Sequence, residues 1–179
     1  PGSTYTNTRH NIGFKIIDAI NAQFKLSKQK PKFKGLLTTG NIEEKKIYAI
    51  KPLTFMNNSG TAIKELIDYF KIDAKDVIVF HDDMDIDFGK IKAKFGGSSA
   101  GHNGIESIDK FIGKEYSRVR IGIGHPKQKK KVNNHVLEDF KEDEEEKIKE
   151  ITENIVKQIP TLIDKKLDLF SSKINQNLN

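Results

Sequence analysis

The stretch VIVFHDD, residues 77–83, decides the fold class of this chain. Its first four residues form an unbroken apolar run, a pattern typical of a strand buried on both faces inside a parallel sheet. A histidine and two carboxylates follow at once, so polar side chains stand where the predicted strand stops. In open α/β sheets, functional groups gather at the carboxyl ends of the strands. We therefore expect a site beside Asp82.

Helical and extended patterns alternate outward from this stretch, which favours an α/β fold. Helices are predicted from Arg9 or His10 to Phe24, from Asn58 or Ser59 to Phe70, over Ile105–Ile112, and around 141–158 and 161–174. Strands are predicted at Phe33–Thr39 and Lys46–Lys51, which flank a turn at Gly40–Glu44, and at Ile91–Phe95 and Val119–Ile123. The whole of 1–179 is expected to form a single domain, with 171–179 as a frayed tail.

The composition excludes several classes of function. The 179 residues include no cysteine, which excludes disulfides, thiolate catalysis and cysteine-ligated zinc. No apolar run approaches the ~18 residues of a membrane helix, and no secretory signal is visible, so we expect a cytoplasmic protein.

The net charge of +6 is unevenly distributed. Residues 15–51 hold nine lysines against three acids, 127–131 hold four lysines, and 138–150 hold eight acids against three lysines. Such segregation attracts a polyanion to one face, although lysine-rich stretches are also commonly no more than solvated surface.

Two residues suit general-base chemistry. An imidazole titrates near neutral pH, so His10 is a candidate to take a proton from water. Asp82 follows a buried strand, where a carboxylate can accept a hydrogen bond from an imidazole N–H and fix its tautomer. Each residue alone is also an ordinary helix-start or turn residue.

Other polar residues lie at the ends of predicted elements. The amides of Asn57 and Asn103 can donate to a carbonyl or a developing oxyanion, although asparagine is also a routine turn residue. Lys92, Lys94, Arg118 and Arg120 are predicted to face outward from two strands, where cations suit phosphate. The alternative of a metal-dependent hydrolase would use His81, Asp82, Asp83, Asp85 and His102, but no motif with metal-ligand spacing is present. The glycine-rich loop 96–101 lacks the Gly-Lys-Ser/Thr ending of a P-loop.

Together, these clusters resemble the sequence blocks of bacterial peptidyl-tRNA hydrolases. The blocks are PGSTYTNTRHNIG at 1–13, KPLTFMNNSG at 51–60, VFHDDMD at 79–85, GGSSAGHNG at 96–104 and RVRIGIGHP at 118–126. The resemblance implies a single α/β domain with a mixed twisted sheet flanked by helices. It also implies hydrolysis of the ester that joins a peptide to tRNA, with no metal or other cofactor, by a monomeric enzyme.

The same resemblance assigns roles to individual residues. His10 matches the base and Asp82 the carboxylate that orients it, while Asn57 and Asn103 match the amides that anchor the peptide and the attacked carbonyl. The residues that match contacts to substrate or tRNA are Tyr5, Asn11, Phe55, Met56, His102, Lys92, Lys94 and Arg120. Among these, Lys94 and Arg120 match the pair that clamps the 5′-phosphate beside the acceptor stem and its 3′ end.

The resemblance also implies a strand, ending in an asparagine, before the Pro-Gly pair. This sequence begins at Pro1. We expect a form without the family's first strand to be destabilised or impaired, because that strand lies inside the sheet. A second alternative is a non-catalytic RNA-binding relative with the same fold.

Overall fold

The structure of the chain, a computed structural model, describes residues 1–126 and 132–178. The helices are α1 (Ile12–Gln23), α2 (Ser59–Phe70), α3 (Asn103–Ile112), α4 (Val132–His135), α5 (Glu142–Lys157), α6 (Ile159–Ile163) and α7 (Leu167–Asn177). The strands are β1 (Lys30–Lys32), β2 (Gly35–Ile42), β3 (Lys45–Pro52), β4 (Ile78–Asp83), β5 (Ile91–Phe95) and β6 (Ser117–Gly122). Short 3₁₀ turns lie at Ser3–Tyr5, Arg9–Asn11, Met56–Asn58 and Ala74–Asp76.

The chain divides into two compact units. The first unit contains Ile20–Val79 and Phe95–Ser117, together with Pro1, and the second contains Gly2–Ala19, Phe80–Lys94 and Arg118–Asn179. The expectation of a single domain stays a prediction.

The first unit contains an antiparallel sheet of order β1-β2-β3. Strand β1 is an addition to the predicted elements, and the two residues that join it to β2, Phe33 and Lys34, both have positive φ (53° and 54°). The turn predicted at 40–44 is shorter than expected, because residues up to Ile42 pair with β3 and leave only Glu43 and Glu44 outside the strands. At the free edge, β1 reads Lys-Pro-Lys and is fully exposed, which discourages pairing with another strand.

The core of the first unit lies between this sheet, α2 and α3. It consists of Leu37, Ile63, Leu66, Ile67, Ile108 and Tyr116. Gly60 lets α2 approach α3 closely, since a Cβ there would collide with the carbonyl oxygen of Ser107. The Gly60 N–H donates to the Ser107 hydroxyl at 3.0 Å, which holds this approach.

The second sheet has the order β4-β6-β5. Ser117 N–H donates to Val77 O, and Ile123 N–H donates to Asp83 O. The residue numbers increase together along the two strands, so β4 and β6 are parallel. Gly96 N–H donates to Tyr116 O, and Gly122 N–H donates to Lys90 O. Here the residue numbers increase along one strand as they decrease along the other, so β5 and β6 are antiparallel. The predicted mixed α/β sheet is confirmed.

Burial along β4 differs from the expectation. Ile78–Phe80 are only half-buried, whereas His81, Asp82 and Asp83 are buried. In the described part of the chain β4 is an edge strand, so its apolar half is not enclosed as a central strand would be.

The predicted frayed tail at 171–179 is wrong for residues 171–177, which belong to helix α7. Phe170 and Ile174 are fully buried, and α7 covers the edge of β5 with side-chain hydrogen bonds. The Ser171 hydroxyl accepts from Ala93 N–H at 2.8 Å, and the Asn175 amide both accepts from Ile91 N–H (3.0 Å) and donates to Ile91 O (2.8 Å). The sequence did not predict these contacts, because serine and asparagine are equally common in a solvent-exposed chain end. Among the described residues, no helix has the length and apolar character needed to cross a membrane.

Candidate active site

His10 and Asp82 meet in the second unit although 72 positions separate them. Imidazole Nδ1 lies 2.8 Å from carboxylate Oδ1, and the side chains are 13% and 2% exposed. A carboxylate accepts hydrogen bonds, so when this imidazole is neutral its proton lies on Nδ1 and its lone pair on Nε2. An imidazole oriented in this way is arranged to act as a base through Nε2.

A close helix-to-strand approach brings these two residues together. His10 lies in the 3₁₀ turn Arg9–Asn11, which leads directly into α1. Gly13, in the first turn of α1, faces β4 so closely that a Cβ would lie 2.5 Å from the carbonyl oxygen of Phe80. Only glycine permits this spacing. Asp82 lies two positions further along β4, on the carboxyl-end side that the sequence indicated.

Backbone hydrogen bonds fix the turn from its other side. Residues Val136–Phe140, which we call the strap, run past the turn, and Val136 O accepts from His10 N–H at 2.8 Å. The neighbouring His135 Nε2–H donates to Ile123 O at 3.2 Å, and Ile123 N–H donates to Asp83 O at 3.0 Å. Hydrogen bonds and the covalent link between His135 and Val136 thus connect His10, through the strap and through Ile123 just after β6, to the end of β4.

The two other predicted residues near the N-terminus have different environments. Tyr5 is 38% exposed and is available for contact. Asn11 is buried, and its amide donates to Tyr5 O at 2.7 Å. This bond stabilises the loop, so any role of Asn11 in binding substrate stays a prediction.

In the first unit, the turn Met56–Asn58 packs against the start of α3. This contact brings together four of the predicted residues, which are Met56, Asn57, His102 and Asn103. Gly104 allows this contact, because a Cβ there would lie 2.6 Å from the Met56 sulfur. Asn57 and Asn103 are both exposed, so their amides are open to a ligand. His102 caps α3, since its Nδ1 accepts from Gly104 N–H (3.1 Å) and Ile105 N–H (3.2 Å). Phe55, just before the turn, is 71% exposed.

A cationic group lies on β5 and β6 in the second unit. Arg120 Nε donates to Asp83 Oδ2 at 2.6 Å, and Lys92 is exposed. Desolvation lowers the pKa of Lys94, as do the positive charges of Arg120 and Arg118, while Asp83 opposes them. A phosphate would relieve the repulsion among these cations.

The prediction that Arg118 faces outward is wrong. Arg118 is 1% exposed, whereas Arg120 is partly exposed. Alternation along a strand predicts which residues share a face, but it does not predict whether that face meets solvent. Strand β6 is the central strand of its sheet, and its face is covered at Arg118. The lysines of the 127–131 run lie outside the described residues.

The geometry of β4 argues against one metal ion held by all the candidate ligands. His81 and Asp82 are consecutive strand residues, so their side chains point to opposite faces. His81 Nδ1 lies 2.8 Å from Asp82 O, and Asp83 binds Arg120. Asp85 instead pairs with His125 at 2.9 Å, and both of these side chains are exposed.

Sequence reasoning missed Arg9, which is buried beside His10 and pairs with Glu144 of α5 at 2.6 Å. The available signal was an arginine directly before the candidate histidine in the first sequence block. Its partner lies 135 positions away, so no local pattern shows it.

Comparison with known proteins identifies the family of this chain. The sequence profile of the peptidyl-tRNA hydrolase family matches residues 1–179. The chain is 75% identical over 169 residues to the peptidyl-tRNA hydrolase of Pelagibacter ubique (strain HTCC1062), covering 94% of this chain and 91% of that protein. It is 43% identical over 178 residues to that of Ehrlichia canis (strain Jake), covering 99% and 91%.

The fold matches solved structures as well. The crystal structure of peptidyl-tRNA hydrolase from Acinetobacter baumannii at 1.00 Å resolution superimposes with a TM-score of 0.91 at 33% identity, covering 98% of this chain and 90% of that one. The Arg119Gln mutant of the same enzyme gives the same TM-score of 0.91. Together with the pairing of His10 and Asp82, these matches show that the chain belongs to the peptidyl-tRNA hydrolase family.

Proposed function

We propose that this chain hydrolyses the ester bond between a peptide and the 3′ end of tRNA, with His10 as the general base. The observation that carries the proposal is the 2.8 Å contact between His10 Nδ1 and Asp82 Oδ1. Asp82 is almost fully buried, and its carboxylate holds the ring in the tautomer with the proton on Nδ1 and the basic lone pair on Nε2.

The reaction then proceeds by attack of water. His10 Nε2 takes a proton as the water oxygen bonds to the ester carbonyl carbon, and the carbonyl oxygen becomes an oxyanion. The intermediate collapses by breaking the bond to the ribose oxygen, which receives the proton back from the imidazolium. The products are free tRNA and a peptide that ends in a carboxyl group.

The other predicted residues bind and orient the substrate. The exposed amides of Asn57 and Asn103 donate to the peptide and to the attacked carbonyl, a contribution that strengthens as negative charge develops. Tyr5, Phe55 and Met56 contact the terminal adenosine and the peptide, and Asn11 and His102 support these contacts.

Lys94, Arg120 and Lys92 hold the 5′-phosphate and the adjacent acceptor stem in this proposal. The ion pair from Asp83 to Arg120 supports it, because a fixed guanidinium presents its remaining N–H donors in a defined direction. We propose further that the enzyme acts in the cytoplasm as a monomer and needs no metal.

Hydrolysis of N-acetyl-aminoacyl-tRNA, followed by release of the blocked amino acid, tests the proposal. His10→Ala should lower kcat by about 10²-fold or more, the loss expected for a positioned general base. His125→Ala is the matched control, because His125 also pairs with a carboxylate, Asp85 at 2.9 Å, but at an exposed position. It should leave kcat unchanged.

Two results would contradict the proposal. Equal turnover by the His10→Ala and His125→Ala variants would remove His10 from the chemistry. Tight binding of tRNA without hydrolysis would instead favour the non-catalytic RNA-binding alternative. A parallel assay with a chelator tests the metal-dependent alternative, and we expect its rate to be unchanged.

A further inference from the structure

A buried arginine beside the proposed base has no role in the chemistry above. Arg9 is 2% exposed. Its Nη1 donates to Glu138 O (3.2 Å) and Asp139 O (2.8 Å), and its Nη2 donates to Glu144 Oε2 at 2.6 Å. The guanidinium carbon lies 5.3 Å from the centre of the Phe140 ring, a favourable position for a cation.

The backbone around Arg9 is fixed by the same part of the chain. Arg9 N–H donates to Glu138 O at 3.1 Å, and His10 N–H donates to Val136 O at 2.8 Å. Thr8 forms an antiparallel bridge with Asp139. The Thr8 side chain makes no capping bond, so the strap supplies the acceptors that the start of the turn needs.

Glu144 links this arrangement to helix α5. The same carboxylate oxygen that binds Arg9 accepts from Lys141 N–H at 2.8 Å, so it also caps α5. A buried charge is costly without its partner. Loss of Arg9 removes the cation that Glu144 binds, and loss of Glu144 leaves the buried guanidinium with the more distant carboxylate of Glu138, at 3.9 Å. Arg9 and Glu144 therefore join the turn, the strap and the start of α5 at one ion pair.

We propose that Arg9 and Glu144 are positioning residues that hold His10 at hydrogen-bond distance from Asp82. This inference rests on the proposed role of His10 as the base. His10 follows Arg9 directly, so a shift of the turn moves the imidazole away from a carboxylate that β4 holds in place. Displacements of about 1 Å in an active site cost on the order of 10²-fold in rate.

The test compares Arg9 variants with a neighbouring cation that contacts the same ring. Lys15 Nζ lies 5.7 Å from the Phe140 ring centre and 3.8 Å from Glu145 of α5, and both of these groups lie outside the turn. Arg9→Met should lower kcat about tenfold or more with KM within about twofold, and Glu144→Gln should lower it less. The controls Lys15→Met and Glu145→Gln should keep full kcat.

Arg9→Lys tests the geometry of the guanidinium. An ammonium keeps the charge but is a single point, so it cannot reach the two carbonyls and the carboxylate together. We expect a kcat between those of wild type and Arg9→Met. If circular dichroism shows that Arg9→Met is unfolded, Arg9→Lys and Glu144→Gln carry the test, and wild-type kcat in both would overturn the inference.

An NMR measurement separates positioning from a general loss of stability. A proton held between imidazole Nδ1 and a carboxylate gives a low-field resonance that is protected from exchange with water. It should be present in wild type and Lys15→Met and weakened in folded Arg9→Met. An unchanged resonance in a variant with lowered kcat would overturn the inference. This readout needs no turnover, so it still reports on Arg9 if the His10→Ala assay refutes the proposed function.

Discussion

The substitution Gly13→Ala tests the close approach of α1 to β4 in the proposed site. A Cβ at this position would lie 2.5 Å from Phe80 O, whereas real Cβ contacts essentially never fall below 3.0 Å. The start of α1 must therefore move by about 0.5 Å. If His10 moves equally, its 2.8 Å bond to Asp82 stretches to about 3.3 Å, beyond the usual upper limit of ~3.2 Å for N–H···O.

The expected loss of transition-state stabilisation, about 1.4 kcal/mol for a tenfold drop in kcat, is similar in size to the expected loss of folding stability. Half of a 1 Å misplacement corresponds to about tenfold in kcat. Overpacking costs about 1–3 kcal/mol of unfolding free energy, but alanine is better than glycine in a helix by about 1 kcal/mol, so the net loss stays below about 2 kcal/mol.

The assay measures kcat on N-acetyl-aminoacyl-tRNA together with urea unfolding. The control is Ile174→Ala, which removes a fully buried side chain of α7 and should cost about 2–5 kcal/mol. It should retain kcat under conditions in which the protein is folded. Full activity of Gly13→Ala, or equal loss of activity in the control, would refute the reasoning.

Further predictions concern the carboxylates and the cationic group. Asp82→Asn should lower kcat far more than tRNA affinity, because an amide can hold the wrong imidazole tautomer; a mainly weakened affinity would make Asp82 a substrate contact instead. Lys94→Ala should weaken tRNA binding and reduce the slope of log K against log salt by about 0.9 per lost phosphate contact, while Lys149→Ala on α5 should leave both unchanged. The pKa of Lys94 is lowered, so this side chain loses its charge at a lower pH than an ordinary lysine, whose pKa is ~10.4. The affinity for tRNA, measured by fluorescence anisotropy, should therefore decline at a lower pH, and Lys94→Arg should remove that decline. Asp83→Asn should weaken tRNA binding, since Arg120 loses the carboxylate that orients it; unchanged affinity would assign the pair to stability.

Several elements could be predicted because local periodicity determines them. The spacing of Ile63, Leu66, Ile67 and Phe70 indicated α2, and alternation around Ile91, Ala93 and Phe95 gave β5 with its observed bounds. The apolar run after Val77 located β4 within a few residues. In each case the spacing of apolar residues along the chain shows which side of the helix or strand faces the core.

Properties that depend on neighbours distant in sequence were not predictable in this way. Periodicity did not reveal that β6 is central, so it did not predict the burial of Arg118. Residues 171–177 of α7 were predicted as a frayed tail, because their hydrogen-bond partners are backbone groups of β5 that no local pattern shows. The proposed roles of His10 and Asp82 came from residue chemistry and resemblance to a family, and the structure supplies the distance between them.

The hydrogen-bonded path through the strap has a consequence for biosynthesis. The proposed base receives its support from segments as far along the chain as Glu144. A nascent chain that ends before this point contains His10 and Asp82 but not the groups that hold the turn. Catalytic competence should therefore be acquired late in translation, and a ribosome-bound intermediate that stops at α4 should be inert.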